Sequence, residues 1–238
     1  MMEPLLVALD VDTVAEARAL ADRLRGVVGG FKIGKQLFTS VGPAVVDELV
    51  SRGDRVFLDL KYHDIPNTVA GAVTAATRLG VWMVNVHASG GSTMMRAARA
   101  AADEEAARQS RPAPLVIGVT ILTSIDQATL AEIGVNGPVA AQVGRLAVLA
   151  EAAGLDGVVA SAQEIAIIRG ACGGAFTIVT PGIRGAGDAK GDQSRTLSAA
   201  GALAAGASYL VVGRPIIAAA DPRAAAERIA AECRGQAS

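Results

Sequence analysis

Short apolar runs alternate along the chain with longer alanine-rich stretches whose charged residues fall on one face. The runs at 5–10, 30–34, 55–61, 81–88, 115–122, 155–161, 176–182 and 208–214 read as eight strands. Between and after them, amphipathic patterns near 13–25, 42–52, 66–79, 91–108, 137–153, 162–170, 194–205 and 221–234 read as helices. Helix-start signals agree: Thr13 follows a strand, Pro43 and Pro66 stand at openings, and Asp221-Pro222 precedes the last helix. Glycine closes several helices, at Gly53, Gly80, Gly154 and Gly206. Eight strand–helix units in 238 residues predict an α/β fold, a single (β/α)8 TIM barrel occupying 1–238 as one domain. A doubly wound sheet would show fewer strands and a glycine-rich first turn. Here that turn is Asp10-Val11-Asp12, with no dinucleotide fingerprint.

Composition narrows the picture. Hydrophobic residues make up 51% of the chain and aromatics only 3%, so the core must be built from Ala, Val, Ile and Leu. That suits helices packed on a buried parallel sheet. The net charge is −1 and no basic tract points to nucleic acid. Cys172 and Cys233 lack metal-ligand spacing, which predicts a reduced, cytoplasmic setting. The apolar run 4–9 stops at Asp10, too short for a signal-peptide core or a membrane span. Of 22 basic residues only four are lysine, yet Lys32 and Lys61 both fall at strand ends. A chain that uses arginine by default and keeps lysine there points to a need for an ammonium.

Active sites of such barrels gather at the C-terminal ends of the strands. The polar residues there are Asp10, Lys32, Asp59, Lys61, Asp64, Asn85, His87, Thr120, Thr123, Arg184 and Arg214. Strand alternation puts Asp59 and Lys61 on one face, into the barrel mouth, with Leu58 and Leu60 facing the helices. Each residue also has a purely structural reading. Asp-x-Lys can be a simple ion pair, Asp10 a helix cap, His87 a packed histidine, and Thr120 and Thr123 parts of packing and a turn. Taken together, they all fall on the catalytic face.

The last two strand–helix loops suggest a phosphate site. Gly182 and Gly213 leave room for backbone N–H groups to approach an anion, and Arg184 and Arg214 offer forked donors suited to phosphate oxygens. The intervening 185–196 is rich in glycine and polar residues, as a closing loop would be. An ordinary surface loop with two arginines is the alternative.

The run 59-DLKYHDIPNT-68 resembles the signature of the orotidine 5′-phosphate decarboxylase family, bacterial type. So do Asp10, Lys32 in 31-FKIG-34, 120-TILTS-124, 180-TPGIR-184 with 192-DQ-193, and 212-VGRPI-216. The resemblance spans essentially the whole chain, and the I-P-N-T extension and P-G-I-R…D-Q…V-G-R set are its specific parts. It implies conversion of orotidine 5′-phosphate to UMP and CO2, the last step of pyrimidine nucleotide synthesis, with no cofactor and no metal. By position, Lys61 would protonate C6 and Asp59 would sit beside the departing carboxylate. Lys32 and Asp10 would bind ribose hydroxyls, and Thr123 the pyrimidine. Gln193 would bridge pyrimidine and phosphate, while Arg214 with the Gly213 backbone would hold the phosphate. Arg184 would help order that end of the site, and Pro181 would also bind substrate. The resemblance also implies a homodimer with shared active sites, Asp64 and Thr68 reaching the partner subunit's substrate and completing a Lys32–Asp59–Lys61–Asp64 array.

Two other classes compete. Mg-dependent phosphosugar barrel enzymes, of the hexulose-phosphate synthase or keto-gulonate-phosphate decarboxylase type, share the D-x-K-x-x-D core. The I-P-N-T extension and Gln193 argue against them. A non-catalytic nucleotide-binding barrel would keep the arginines but have no use for Lys61 or Asp59.

Overall fold

Eight parallel strands pair in chain order and the last returns to the first, closing a barrel. The computed structural model describes residues 3–183 and 197–235. The strands are β1 (Leu5–Ala8), β2 (Gly30–Gly34), β3 (Val56–Tyr62), β4 (Met83–His87), β5 (Leu115–Val119), β6 (Gly157–Val159), β7 (Thr177–Pro181) and β8 (Tyr209–Val212). The helices are α1 (Val14–Leu24), α2 (Lys35–Val41), α3 (Ala44–Ser51), α4 (Pro66–Arg78), α5 (Gly91–Arg108), α6 (Gln127–Glu132), α7 (Val139–Ala152), α8 (Ile165–Cys172), α9 (Ala199–Ala204), α10 (Arg214–Ile217) and α11 (Pro222–Cys233). The predicted (β/α)8 barrel is therefore the observed fold, and every predicted strand is present.

The differences have local causes. The apolar runs at 5–10 and 208–214 overshoot the observed strands, Leu5–Ala8 and Tyr209–Val212. The helices α2, α6 and α10 were not predicted; each spans seven residues or fewer, too short for helical periodicity to show. Residues 162–164 form a 3-10 turn ahead of α8, whereas the pattern read as one helix. Where the helices begin, the sequence signals hold. Thr13 and Glu16 form a reciprocal capping box, Pro66 is the first residue of α4, and the Asp221 carboxylate accepts from Arg223 and Ala224 N–H.

Two apolar layers result from the strand alternation. Leu58, Val84, Val86 and Ile178 face outward against the helices, whereas Leu6, Ala8, Phe57, Met83, Ile117, Val179 and Val211 fill the barrel interior. At the N-terminal end Trp82 and Tyr209 close this plug, edge to face at 5.1 Å. No helix among the described residues is long and apolar enough to cross a membrane.

Gly157, the first residue of β6, leaves no room for a side chain. A Cβ there would lie 2.1 Å from the Thr177 carbonyl oxygen on β7. At the opposite end of the barrel, β4 finishes in His87, whose ring tilts against His63 with centroids 5.3 Å apart. Burial, reinforced by the positive charge that His63, Lys35 and Lys61 bring and opposed by Asp59, pushes the His87 pKa down from 6.5 to about 4. His87 is thus neutral where an unfolded chain's histidine is half charged. His87 belongs to the rim and does not line the cavity that the strand ends enclose.

Two outcomes are expected. Gly157→Ala should lower stability by about 1–3 kcal/mol through backbone displacement, read as a fall of several degrees in Tm; an unchanged Tm would show that β6 and β7 can part freely. The second concerns pH. Because folded His87 takes up its proton near 4 and the unfolded chain near 6.5, its contribution to stability should be present above 6.5 and be lost as pH falls toward 4. His87→Gln should therefore flatten the dependence of the urea midpoint on pH across that window, and parallel curves for the two proteins would acquit His87.

Candidate active site

The strand ends enclose a cavity of about 610 Å³. Phe57, Val179 and Val211 from the apolar plug form its floor, and the charged groups stand on that floor. Lys32 is the third residue of β2 and its side chain is only 10% exposed. Its ammonium lies 3.1 Å from Asp10 Oδ1 and 3.7 Å from Asp59 Oδ2. Lys61 Nζ donates to Asp59 Oδ1 at 2.6 Å. One carboxylate thus separates two ammonium groups, and a second carboxylate flanks the first of them. The order Asp10–Lys32–Asp59–Lys61 alternates in sign throughout. Glycine makes the space: a Cβ at Gly34 would stand 2.7 Å from Lys32 Nζ.

Burial of Asp59 favours the protonated acid, but the charges of Lys32 and Lys61 and hydrogen bonds from Lys61 and Asn85 outweigh it. The carboxyl is held below the ordinary aspartate range. Unit charges about 4 Å apart interact by roughly 4 kcal/mol at an effective dielectric near 20. Removing one member of a buried pair strands the other and costs several kcal/mol. The array is therefore ionic, preorganised and hard to alter one residue at a time.

Simple alternation accounts for only part of how Asp59 and Lys61 come together. Leu58 pairs with Val84, but the next pair is Tyr62 with Val86. Four steps along β3 match two along β4, so residues 59–61 bulge. Lys61 sits at the crest with φ +53, a left-handed conformation uncommon outside glycine. Its N–H donates to Asn85 Oδ1 at 2.8 Å, and Asn85 Nδ2 donates to Asp59 Oδ1 at 2.7 Å.

Of the other residues expected from the sequence, Thr123, Pro181, Gly213 and Arg214 line the same cavity, with Gly182 beside them. Thr120 does not; its hydroxyl donates to the Val159 carbonyl at 2.9 Å, tying β5 to β6. Asp64 and Thr68 are exposed and lie outside the cavity of their own chain. Asp64 Oδ1 accepts from the Ile65 N–H, and Ile65 itself is 67% exposed. Arg184, Gln193 and the 185–196 loop fall outside the described residues. Gln36 was missed. It lines the cavity and donates to Asp12 Oδ1 at 2.7 Å. It stands on α2, a helix without a sequence signature, so nothing marked it as facing the site. Asn85 was noted at a strand end but not as a partner of Asp59 and Lys61, because that partnership depends on the bulge.

The site tethers two ammonium groups and a carboxylate over an apolar floor, and Arg214 lines the same cavity. It can hold an anionic ligand at one end and act on it electrostatically, and through a lysine proton, at the other. Comparison with known proteins gives this geometry a family. Residues 3–229 match the family described as orotidine 5′-phosphate decarboxylase / HUMPS. An orotidine 5′-phosphate decarboxylase of Moorella thermoacetica is 58% identical over 97% of this chain and 92% of its own, and one from Alkalilimnicola ehrlichii is 56% identical over 98% and 97%. Among solved structures, an orotidine 5′-phosphate decarboxylase of Lactobacillus acidophilus superposes with a TM-score of 0.85 at 37% identity, covering 97% of this chain and 99% of that one. Matched over nearly its full length in both sequence and fold, the chain belongs to the orotidine 5′-phosphate decarboxylase / HUMPS family.

Proposed function

We propose that the protein decarboxylates orotidine 5′-phosphate to UMP and CO2, without metal or cofactor, as a cytoplasmic homodimer of single-domain barrels. The observation that carries this reading is the alternating Asp10–Lys32–Asp59–Lys61 array on the apolar floor. Breaking the C6–carboxylate bond leaves an electron pair in an sp² orbital orthogonal to the pyrimidine π system. No ring resonance accepts that pair, so stabilisation must come from a nearby charge and then from a proton. An ammonium meets both needs. Arginine holds its proton too firmly to donate it, which accounts for lysine in a chain otherwise rich in arginine.

In this reading Lys61 Nζ donates its proton to C6 as CO2 departs, and the resulting amine recovers a proton from solvent. Asp59 and Lys32 hold Lys61 in place. Asp59 also stands beside the substrate carboxylate, while Asp10 and Lys32 bind ribose hydroxyls. Thr123 meets the pyrimidine, Pro181 also contacts substrate, and Gln193 bridges the pyrimidine to the phosphate. Arg214 and the Gly213 backbone hold the phosphate, with Arg184 ordering that end. Phosphate binding lies far from C6, so its energy can serve closure and orientation in the transition state. Asp64 and Thr68 of each chain act in the site of the partner subunit. Their exposed position outside their own cavity supports that assignment.

The matching family description also includes HUMPS enzymes, so the assay must separate the two chemistries. Purified protein with orotidine 5′-phosphate and EDTA should show loss of substrate absorbance at full rate. Inactivity, together with Mg²⁺-dependent turnover of a sugar phosphate, would overturn the assignment. Tight UMP binding with no turnover of either substrate would indicate a binding protein instead. Lys61→Ala should lower kcat by at least about 10³-fold, combining lost proton transfer and lost electrostatic stabilisation, while keeping a cooperative unfolding transition. Mixed inactive Lys61→Ala and Asp64→Ala proteins should regain activity after subunit exchange, since one hybrid site is then wholly wild type. Verified exchange with no recovered activity would contradict the shared site.

A further inference from the structure

We propose that Asn85 is the positioning residue of this site: its amide sets the backbone of Lys61 and the carboxylate of Asp59 in a single fixed relation. The inference rests on the decarboxylase reading for what that relation accomplishes. Asn85 is the third residue of β4, fully buried, and does not line the cavity. It does not reach a ligand there, so its effect passes through the two residues that do.

The bulge explains why an amide is needed. Residues 59–61 have no matching run on β4, since the pairing skips from Leu58–Val84 to Tyr62–Val86. The Lys61 N–H finds no ladder carbonyl and donates to Asn85 Oδ1 instead. The same amide turns its Nδ2 to Asp59 Oδ1, the very oxygen that accepts the Lys61 ammonium. The orientation of the amide follows from chemistry: the N–H requires an acceptor and the carboxylate requires a donor, and only one flip satisfies both. An apolar side chain would leave a buried N–H orphaned and remove a donor from the carboxylate. The left-handed Lys61 would then lose the contact that selects it over ordinary extended backbone. An ångström of drift at the ammonium is the kind of error that costs about 10²-fold in rate.

Aspartate at position 85 separates this role from mere packing. It is nearly isosteric and keeps the acceptor for Lys61 N–H. Ionised, it sets a second carboxylate against Asp59; protonated, it donates as the amide does. The charged or titratable groups around it are Asp59 and Lys61 from β3, Lys32 from β2 and His87 from β4, with His63 and Lys35 near His87, while the neighbouring β5 carries none. Two carboxylates sharing a site hold one proton between them more tightly.

The test measures kcat and KM for orotidine 5′-phosphate from pH 5 to 9 in wild type, Asn85→Ala, Asn85→Ser and Asn85→Asp, with thermal unfolding of each. Asn85→Ala should lose about 10²-fold in kcat at every pH, with KM within about threefold. Asn85→Ser should recover part of that loss, its hydroxyl reaching one of the two partners. The Asn85→Asp to wild-type kcat ratio should be lowest at high pH and rise at least tenfold as pH falls. If Asn85→Ala does not fold, the ratio for Asn85→Asp decides alone. A flat ratio with near-normal kcat, whatever the Tm, overturns the positioning role while leaving the decarboxylase reading intact. A wild type that does not turn over orotidine 5′-phosphate overturns both.

Discussion

The carboxylate of Asp59 is the point on which the site depends. It accepts from the Lys61 ammonium and the Asn85 amide through one oxygen and faces the Lys32 ammonium with the other. A lone carboxylate that is only 13% exposed would be driven toward its neutral form. The two lysines reverse that preference, and Asp59 in turn makes it tolerable for two ammonium groups to stand close together above an apolar floor. Neither sign of charge would be stable there without the other. The resulting cluster is rigid because each removal leaves a buried charge without its counterpart.

The rest of the fold positions this cluster. Parallel pairing in chain order sets β2, β3 and β4 side by side, so that side chains from 32, 59, 61 and 85 converge although more than fifty residues separate the first from the last. Phe57, Met83 and the aliphatic residues beneath them seal the barrel from below. The array and Arg214 line one cavity above this apolar layer. A low local dielectric is what allows a few fixed charges to exert a large effect on a developing anion. The bulge in β3 adds what a regular strand cannot: it lifts Lys61 out of the ladder and leaves its N–H to a side chain.

Much of this was legible in the residues. The eight apolar runs, the capping signals at Thr13, Pro66 and Asp221, and the clustering of Asp10, Lys32, Asp59 and Lys61 at strand ends are local patterns, and local patterns survive in a linear string. The motif 59-DLKYHDIPNT-68 gave a family resemblance that the fold and the comparisons uphold. Short helices such as α2 and α10 were not legible, since a turn or two of helix has no periodicity to detect. Gln36 was hidden for the same reason. Thr120 stood in the list of strand-end polar residues, yet its hydroxyl is spent on the Val159 carbonyl.

Sequence alone determined the fold class, the set of charged residues and the face on which they gather, because periodicity and residue type specify which side of a strand meets the core. Which of those residues touch was decided only in three dimensions. The pairing of Lys32 with both Asp10 and Asp59, the slip of register between β3 and β4, and the closing of that gap by Asn85 all depend on neighbours from other strands. Hydrogen-bond register is a relation between strands, and no stretch of one strand carries it.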